Sequence, residues 1–378
     1  MIRKLLFLLL LPSILFTTAP LFAAGFSTSD MGGYWYIYSI EIDPALPAVY
    51  WIRGYIEVDD AGNVSNGAYY GPDNSTVALT GGSLEVNPQG IISGSFTAQG
   101  QTGTVVHGKL DQSKSIGSAV LIGIDNTLDM LTFIKSGGTF NTSDLGGKWY
   151  GYQIIIDPST GAVFWIYGAY ISDDSGRIVS GSYTGPDGST LSVTSGLLSV
   201  NSSGIISGNI TLSNGQNLTI VHAKIDQSKT RATGVSIEPN GGMGVAYLVK
   251  AGGTFKQTDI IAKSYAYGVI IDPSIPAVYW VYGNLRTVFS GNFSGTYTAP
   301  TGDVVAGSGL ATIDALGVVT ANVSFSTGDT GVTYIKQDQG KTSLVGVSVT
   351  NSGVMGIWQF FDAFQTTLPG LPLLLRDQ

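Results

Sequence analysis

FSTSDMGGYWYIYSIEIDPALPAVYWIRG, residues Phe26–Gly54, returns as FNTSDLGGKWYGYQIIIDPSTGAVFWIYG at Phe140–Gly168 and, more worn, as FKQTDIIAKSYAYGVIIDPSIPAVYWVYG at Phe255–Gly283. The copies begin 114 and 115 residues apart, far longer than a solenoid turn and about the size of one small domain. Three tandem copies of one module are the base reading, and residues shared by the copies can be shared because the module needs them to fold.

A shorter repeat lies inside each copy. In the first, glycines Gly54 and Gly82 open two similar segments, GYIEVDDAGNV and GSLEVNPQGII. Each unit is an alternating apolar run, a turn built on DDAG, DDSG, NPQG or NSSG, and a second run such as IISGSF or IISGNI, which is the pattern of a β-hairpin with a Gly-containing loop. Four such units fill a copy. The fold class is therefore all-β, with three antiparallel meander modules of about eight strands each. An up-and-down barrel closes such a meander by pairing its first strand with its last and leaves no sheet edge. A β-propeller with two four-stranded blades per module and an open sandwich are the alternatives.

The opening strand carries Gly-x-Trp at Gly33–Trp35 and Gly147–Trp149. This pattern, with the module length, resembles lipocalin- and avidin-like, calycin-type barrels, and the resemblance implies an eight-stranded barrel with an interior able to hold a small ligand. The third copy departs from the other two. Ser264 replaces the opening Trp, its first hairpin is about two residues shorter, and Tyr334 stands where His107 and His222 stand in the others. A divergent terminal repeat faces solvent or a different partner in many arrays.

Arg3 and Lys4, the apolar stretch Leu5–Phe16 and the small residues Ala23 and Ala24 read as a secretory signal peptide. The expected layout is a leader over 1–24, modules over 25–139, 140–254 and 255–361, and a C-terminal tail over 362–378. The chain has no cysteine, which excludes disulfides, thiolate metal sites and a lipidated cysteine, and fits a Gram-negative bacterial protein of the periplasm, cell surface or medium. Lys and Arg number 18 against 26 acids, an acidic balance that repels nucleic acid. No stretch is long and apolar enough for a transmembrane helix.

Among candidate functional residues, Trp51, Trp165 and Trp280 follow Tyr50, Phe164 and Tyr279 in VYWI, VFWI and VYWV. Neighbours on a strand point to opposite faces, so this strand is apolar on both sides and something covers its outer face. The expectation places the Trp set inside the barrel and the Tyr/Phe set outside, at ligand or inter-module contacts. His107 and His222 have no Cys or second His beside them for a metal set. Asp111, Asp226 and Asp338 open DQSK or DQGK turns closed by Lys114, Lys229 and Lys341, read as turn caps with a nearby cation. Asp59-Asp60 and Asp173-Asp174 read as hairpin turns, too sparse in acids for a calcium loop. Asp43, Asp157 and Asp272, each before a proline, end the first strand.

No phosphate-binding loop, nucleophile elbow or zinc helix is present. The residues thus describe no enzyme and call for no cofactor. They describe an exported bacterial repeat protein with a non-catalytic binding or structural role at the envelope or outside the cell, its protein, glycan or small-molecule partner unknown. One alternative is a small-molecule or glycan binder using barrel interiors or exposed aromatics. An outer-membrane β-barrel is another, against which stand segments such as SGSYTGPDGST that are polar or small on both faces.

Overall fold

The computed structural model describes residues 25–45, 48–275 and 277–363; the leader and nearly all of the C-terminal tail lie outside them. The first barrel comprises β1 (Gly33–Asp43), β2 (Ala48–Val58), β3 (Val64–Tyr70), β4 (Thr76–Val86), β5 (Ile91–Ala98), β6 (Gln101–Leu110), β7 (Ile116–Ile122) and β8 (Leu128–Lys135). The second comprises β9 (Gly147–Asp157), β10 (Ala162–Ser172), β11 (Ile178–Thr184), β12 (Thr190–Val200), β13 (Ile205–Leu212), β14 (Asn217–Ile225), β15 (Arg231–Ile237) and β16 (Met243–Lys250). The third comprises β17 (Lys263–Asp272), β18 (Ala277–Thr287), β19 (Asn292–Thr298), β20 (Val304–Ile313), β21 (Val318–Phe325), β22 (Thr330–Gln337), β23 (Ser343–Thr350) and β24 (Met355–Asp362).

Each barrel is an antiparallel meander closed by its first and last strands, so no sheet edge remains. The up-and-down barrel is the observed architecture, and the propeller and sandwich are set aside. The turn chemistry explains the meander. Asp59 and Asp173 each accept backbone N–H bonds from residues two and four further on, and Gly62 and Gly176 take the positive φ that closes those turns.

The opening Phe of each copy caps one barrel end. Lys109, Lys224 and Lys336 lie on the outer faces of β6, β14 and β22 and set their ammonium groups 4.3, 4.2 and 4.7 Å from the ring centres of Phe26, Phe140 and Phe255. Their carbonyl acceptors are Gln89, Ile225 and Gln337. Burial lowers all three lysine pKa values to about 8.

The described residues form four hydrophobic cores. One fills each barrel, and the fourth lies between the barrels, built from the outer faces of all three. Strands β1 and β2 of the first barrel meet β15 and β16 of the second, β9 and β10 meet β23 and β24 of the third, and β17 and β18 meet β7 and β8 of the first. The three contacts use one pair of surfaces head to tail and close on themselves, as in a cyclic trimer made within a single chain.

Candidate functional site

The three joints of this ring hold the doubly apolar strand. Trp51, Trp165 and Trp280 are 1, 1 and 2 % exposed and lie on the outer face, in the core between barrels. Each indole donates across a joint: Trp51 to the Ser236 carbonyl at 3.2 Å, Trp165 to Ser348 at 2.9 Å and Trp280 to Leu121 at 3.1 Å. Tyr50, Phe164 and Tyr279 face inward. Tyr50 donates its hydroxyl to Glu41 across β1, Phe164 pairs with Ile155, and Tyr279 packs on the third barrel's own core. The two sets do lie on opposite faces, but the inward placement of the Trp set is corrected. Trp35 occupies the interior, and Ile40, which pairs with Trp51, stands five residues away, an odd step that puts the two on opposite faces.

The histidines sit in the joints as well. His222 Nδ1 lies 2.8 Å from the Tyr38 hydroxyl of the first barrel, and His107 Nδ1 lies 2.8 Å from the Tyr267 hydroxyl of the third. In the remaining joint Tyr334 takes the histidine's place and stacks on Tyr167 with ring centres 4.9 Å apart. Burial, reinforced by Lys109 at one and by Arg53 and Lys224 at the other, lowers both histidine pKa values to about 4.

The Asp residues of the DQSK turns cap those turns through Ser115 and Ile116, Thr230 and Arg231, and Thr342 and Ser343. Their turn lysines pair elsewhere: Lys114, Lys229 and Lys341 reach Asp30, Asp144 and Asp259, each at 2.9 Å. The buried carboxylates instead gather around one cation. Arg231 begins β15, where β7 begins with Ile116 and β23 with Ser343. Its guanidinium donates to Asp111, and to Ser343 Oγ at 2.9 Å, and lies 3.7 Å from Asp226. Burial opposes the charge, but Asp111, Asp226 and Asp338 outweigh it and hold the Arg231 pKa above its ordinary value. Nearby, Gln359 of the third barrel accepts from Ser118 at 3.0 Å and donates to Thr132 at 2.7 Å in the first. Apart from Asp226, five positions from Arg231, these contacts join residues that the chain separates by more than a hundred positions, and no spacing signal announced them.

The barrel interiors differ. The first holds a row in which Tyr50, Glu41 and Asp129 stand directly opposite one another on β2, β1 and β8. Burial raises the pKa of Glu41, and of Asp129 well above the ordinary carboxylate range. Asp129 accepts from Ser39 Oγ at 3.0 Å. The second and third barrels carry Ile155 and Ile270 in the Glu41 position, so the row belongs to the first barrel alone.

The third barrel has room at one end. In the first two, Trp35 and Trp149 fill the end near the opening 3-10 turn and donate to the Met31 and Leu145 carbonyls at 2.6 and 2.7 Å. Ser264 vacates that volume. The third barrel's interior indole is Trp358, which pairs with Gly268, four residues along from Ser264, or roughly 13 Å at about 3.3 Å per residue. A Cβ on Gly268 would come within 2.5 Å of the Trp358 ring, so the glycine makes room for this displaced indole. A cavity of about 70 Å³ remains, with Ile261, Leu285, Tyr297, Val319 and Phe360 in its wall and the hydroxyl side chains of Ser264, Thr287 and Thr333 at intervals. The lining contains no charged side chain.

No protein-family model and no curated protein matches the chain. Among solved structures, Transferrin Binding Protein B of Haemophilus parasuis is similar at 11% identity and TM-score 0.29, over 86% of this chain and 74% of that one. Its counterpart from Neisseria meningitidis is similar at 11% identity and TM-score 0.29, over 86% and 75%. The Myxococcus xanthus hemagglutinin in complex with mannopentaose matches at 14% identity and TM-score 0.13, over 56% and 99%. At this level nothing about ligand or activity follows from the likeness. Among the described residues, no helix is long and apolar enough to cross a membrane, and no group of three or more His, Cys, Asp or Glu is placed to hold a metal.

Proposed function

We propose that the chain is an exported, non-catalytic binding protein in which the first two barrels are packed scaffold and the third takes one small, largely apolar molecule. Ser264 in the position of Trp35 and Trp149 carries this reading, because it alone empties a barrel end that the other copies fill. A cavity of about 70 Å³ exceeds the roughly 10–15 Å³ that a single water needs and, at about half the ~150 Å³ that takes a benzene ring, suits a short alkyl chain. The apolar wall supplies the affinity, and the Ser and Thr hydroxyls suit a ligand with one hydroxyl or carbonyl group. The signal-like leader supports export. The Ser, Thr and Asn residues facing outward on β12 and β13 suit water rather than a lipid belt.

Calorimetric titration of the mature chain with ethanol, n-propanol and n-butanol, alongside the Ser264→Trp variant, tests the proposal. Saturable binding of at least one probe, abolished in Ser264→Trp while that variant melts at a higher temperature, is the expected result. Binding of equal strength in the variant, or no binding of any probe, refutes it.

A further inference from the structure

We propose a second, separate site on the outside of the third barrel, a groove that binds a neutral oligosaccharide. A groove of about 840 Å³ runs across β19 to β23, within the roughly 300–1,000 Å³ of small-ligand sites. Strand register defines its floor. Asn292, Leu310, Asn322 and Val332 stand directly opposite one another on four successive strands. Beside that row runs one of hydroxyls, Ser308, Ser324 and Thr330.

The chemistry selects the ligand class. In a chain with 26 acids and 18 basic residues, no charged side chain lines this groove. It therefore offers nothing to pair with an anion or a cation. Leu310, Val332 and Val349 are the aliphatic side chains of the row, broken by the Asn292 and Asn322 amides and flanked by hydroxyls, so the groove offers no unbroken apolar face to a lipid-like molecule. Amide side chains, each with two donors and an acceptor, suit vicinal sugar hydroxyls, which donate and accept in turn. Leu310, 46 % exposed at the centre of the row, presents a C–H surface for the apolar face of a pyranose ring. Asn322 is exposed and stands between Leu310 and Val332 on the outer row, so its amide lines the groove.

The sister barrels carry related rows, Asn63, Ser83, Ser95 and Thr104 in the first and Arg177, Leu197, Asn209 and Thr219 in the second. The first lacks the central leucine, and the second begins with a charge. The ring thus presents one full site and two partial ones around its circumference, an arrangement that gains avidity on a polymer of repeating neutral sugars.

The test titrates the mature chain with maltohexaose, cellohexaose and mannohexaose, with a heparin-derived hexasaccharide as the charged control. Asn322→Ala and Leu310→Asp alter exposed positions only, and unchanged melting temperatures verify their folds. At least one neutral hexasaccharide should bind the parent chain, each variant should bind it roughly tenfold more weakly, and heparin hexasaccharide should not compete. Ser264→Trp, which fills the interior cavity, should leave this binding intact, so failure of the interior site and failure of the groove are distinguishable. Absence of binding by all three neutral sugars, affinity within twofold of the parent in both variants, or equal competition by heparin would overturn the proposal.

Discussion

Replacing Trp280 by Ala removes the indole that joins the third barrel to the first, the one joint of the ring that no linker enforces. The side chain is 2 % exposed, and Trp280 Nε1 donates to the Leu121 carbonyl at 3.1 Å. Burying about 200 Å² of indole at ~25 cal/mol per Å² is worth roughly 5 kcal/mol, and large-to-small changes at such sites cost about 3–5 kcal/mol. Because Trp280 faces away from the third barrel's interior, that loss should fall on the joint and leave the barrels closed. Small-angle scattering should show a larger radius of gyration, while amide exchange within β17 to β24 stays slow. The matched substitution Trp149→Ala acts inside the second barrel and should accelerate exchange there without opening the ring. The reasoning is refuted if Trp280→Ala speeds exchange throughout the third barrel while the radius of gyration is unchanged.

Two further outcomes follow from the joints. The histidine pKa values are lowered from 6.5 to about 4, so the neutral rings stabilise the fold above pH 6.5 and that contribution is lost as pH falls toward 4. The gap is worth about 3 kcal/mol per histidine at ~1.4 kcal/mol per pH unit. Glu41 and Asp129, with raised pKa values, act with the opposite sign and lose stability as pH rises, so denaturant midpoints of His107→Gln and His222→Gln against the parent isolate the histidine part. Arg231→Met leaves Asp111, Asp226 and Asp338 buried without their cation and should cost about 3–5 kcal/mol at neutral pH, read by urea unfolding; a cost under about 1 kcal/mol would contradict the assignment.

Much of the fold was legible in the sequence because hairpins are local. DDAG and NPQG turns, period-two runs and the repeat interval together specify a closing meander. The inward or outward direction of VYWI was not legible. Period two places Tyr50 and Trp51 on opposite faces but leaves open which is inside. The register across the β1–β2 turn decides it, by pairing Trp51 with Ile40 rather than with a residue an even step from Trp35. Arg231 was invisible for a different reason, since its partner Asp111 lies in another barrel and nothing local marks the pair. Ser264 was visible as a departure from the repeat. Its consequence depends on the interior indole having moved to Trp358, which only the packed interior reveals.

The most direct measurement of the central claim, that the third barrel alone holds an open apolar interior, is diffraction from a crystal of the mature chain pressurised with xenon, which enters dry apolar cavities. The account expects a xenon peak inside the third barrel, beside Ser264 and Ile261, and none inside the barrels closed by Trp35 and Trp149. Xenon in the first or second barrel, or an empty third barrel, would contradict it.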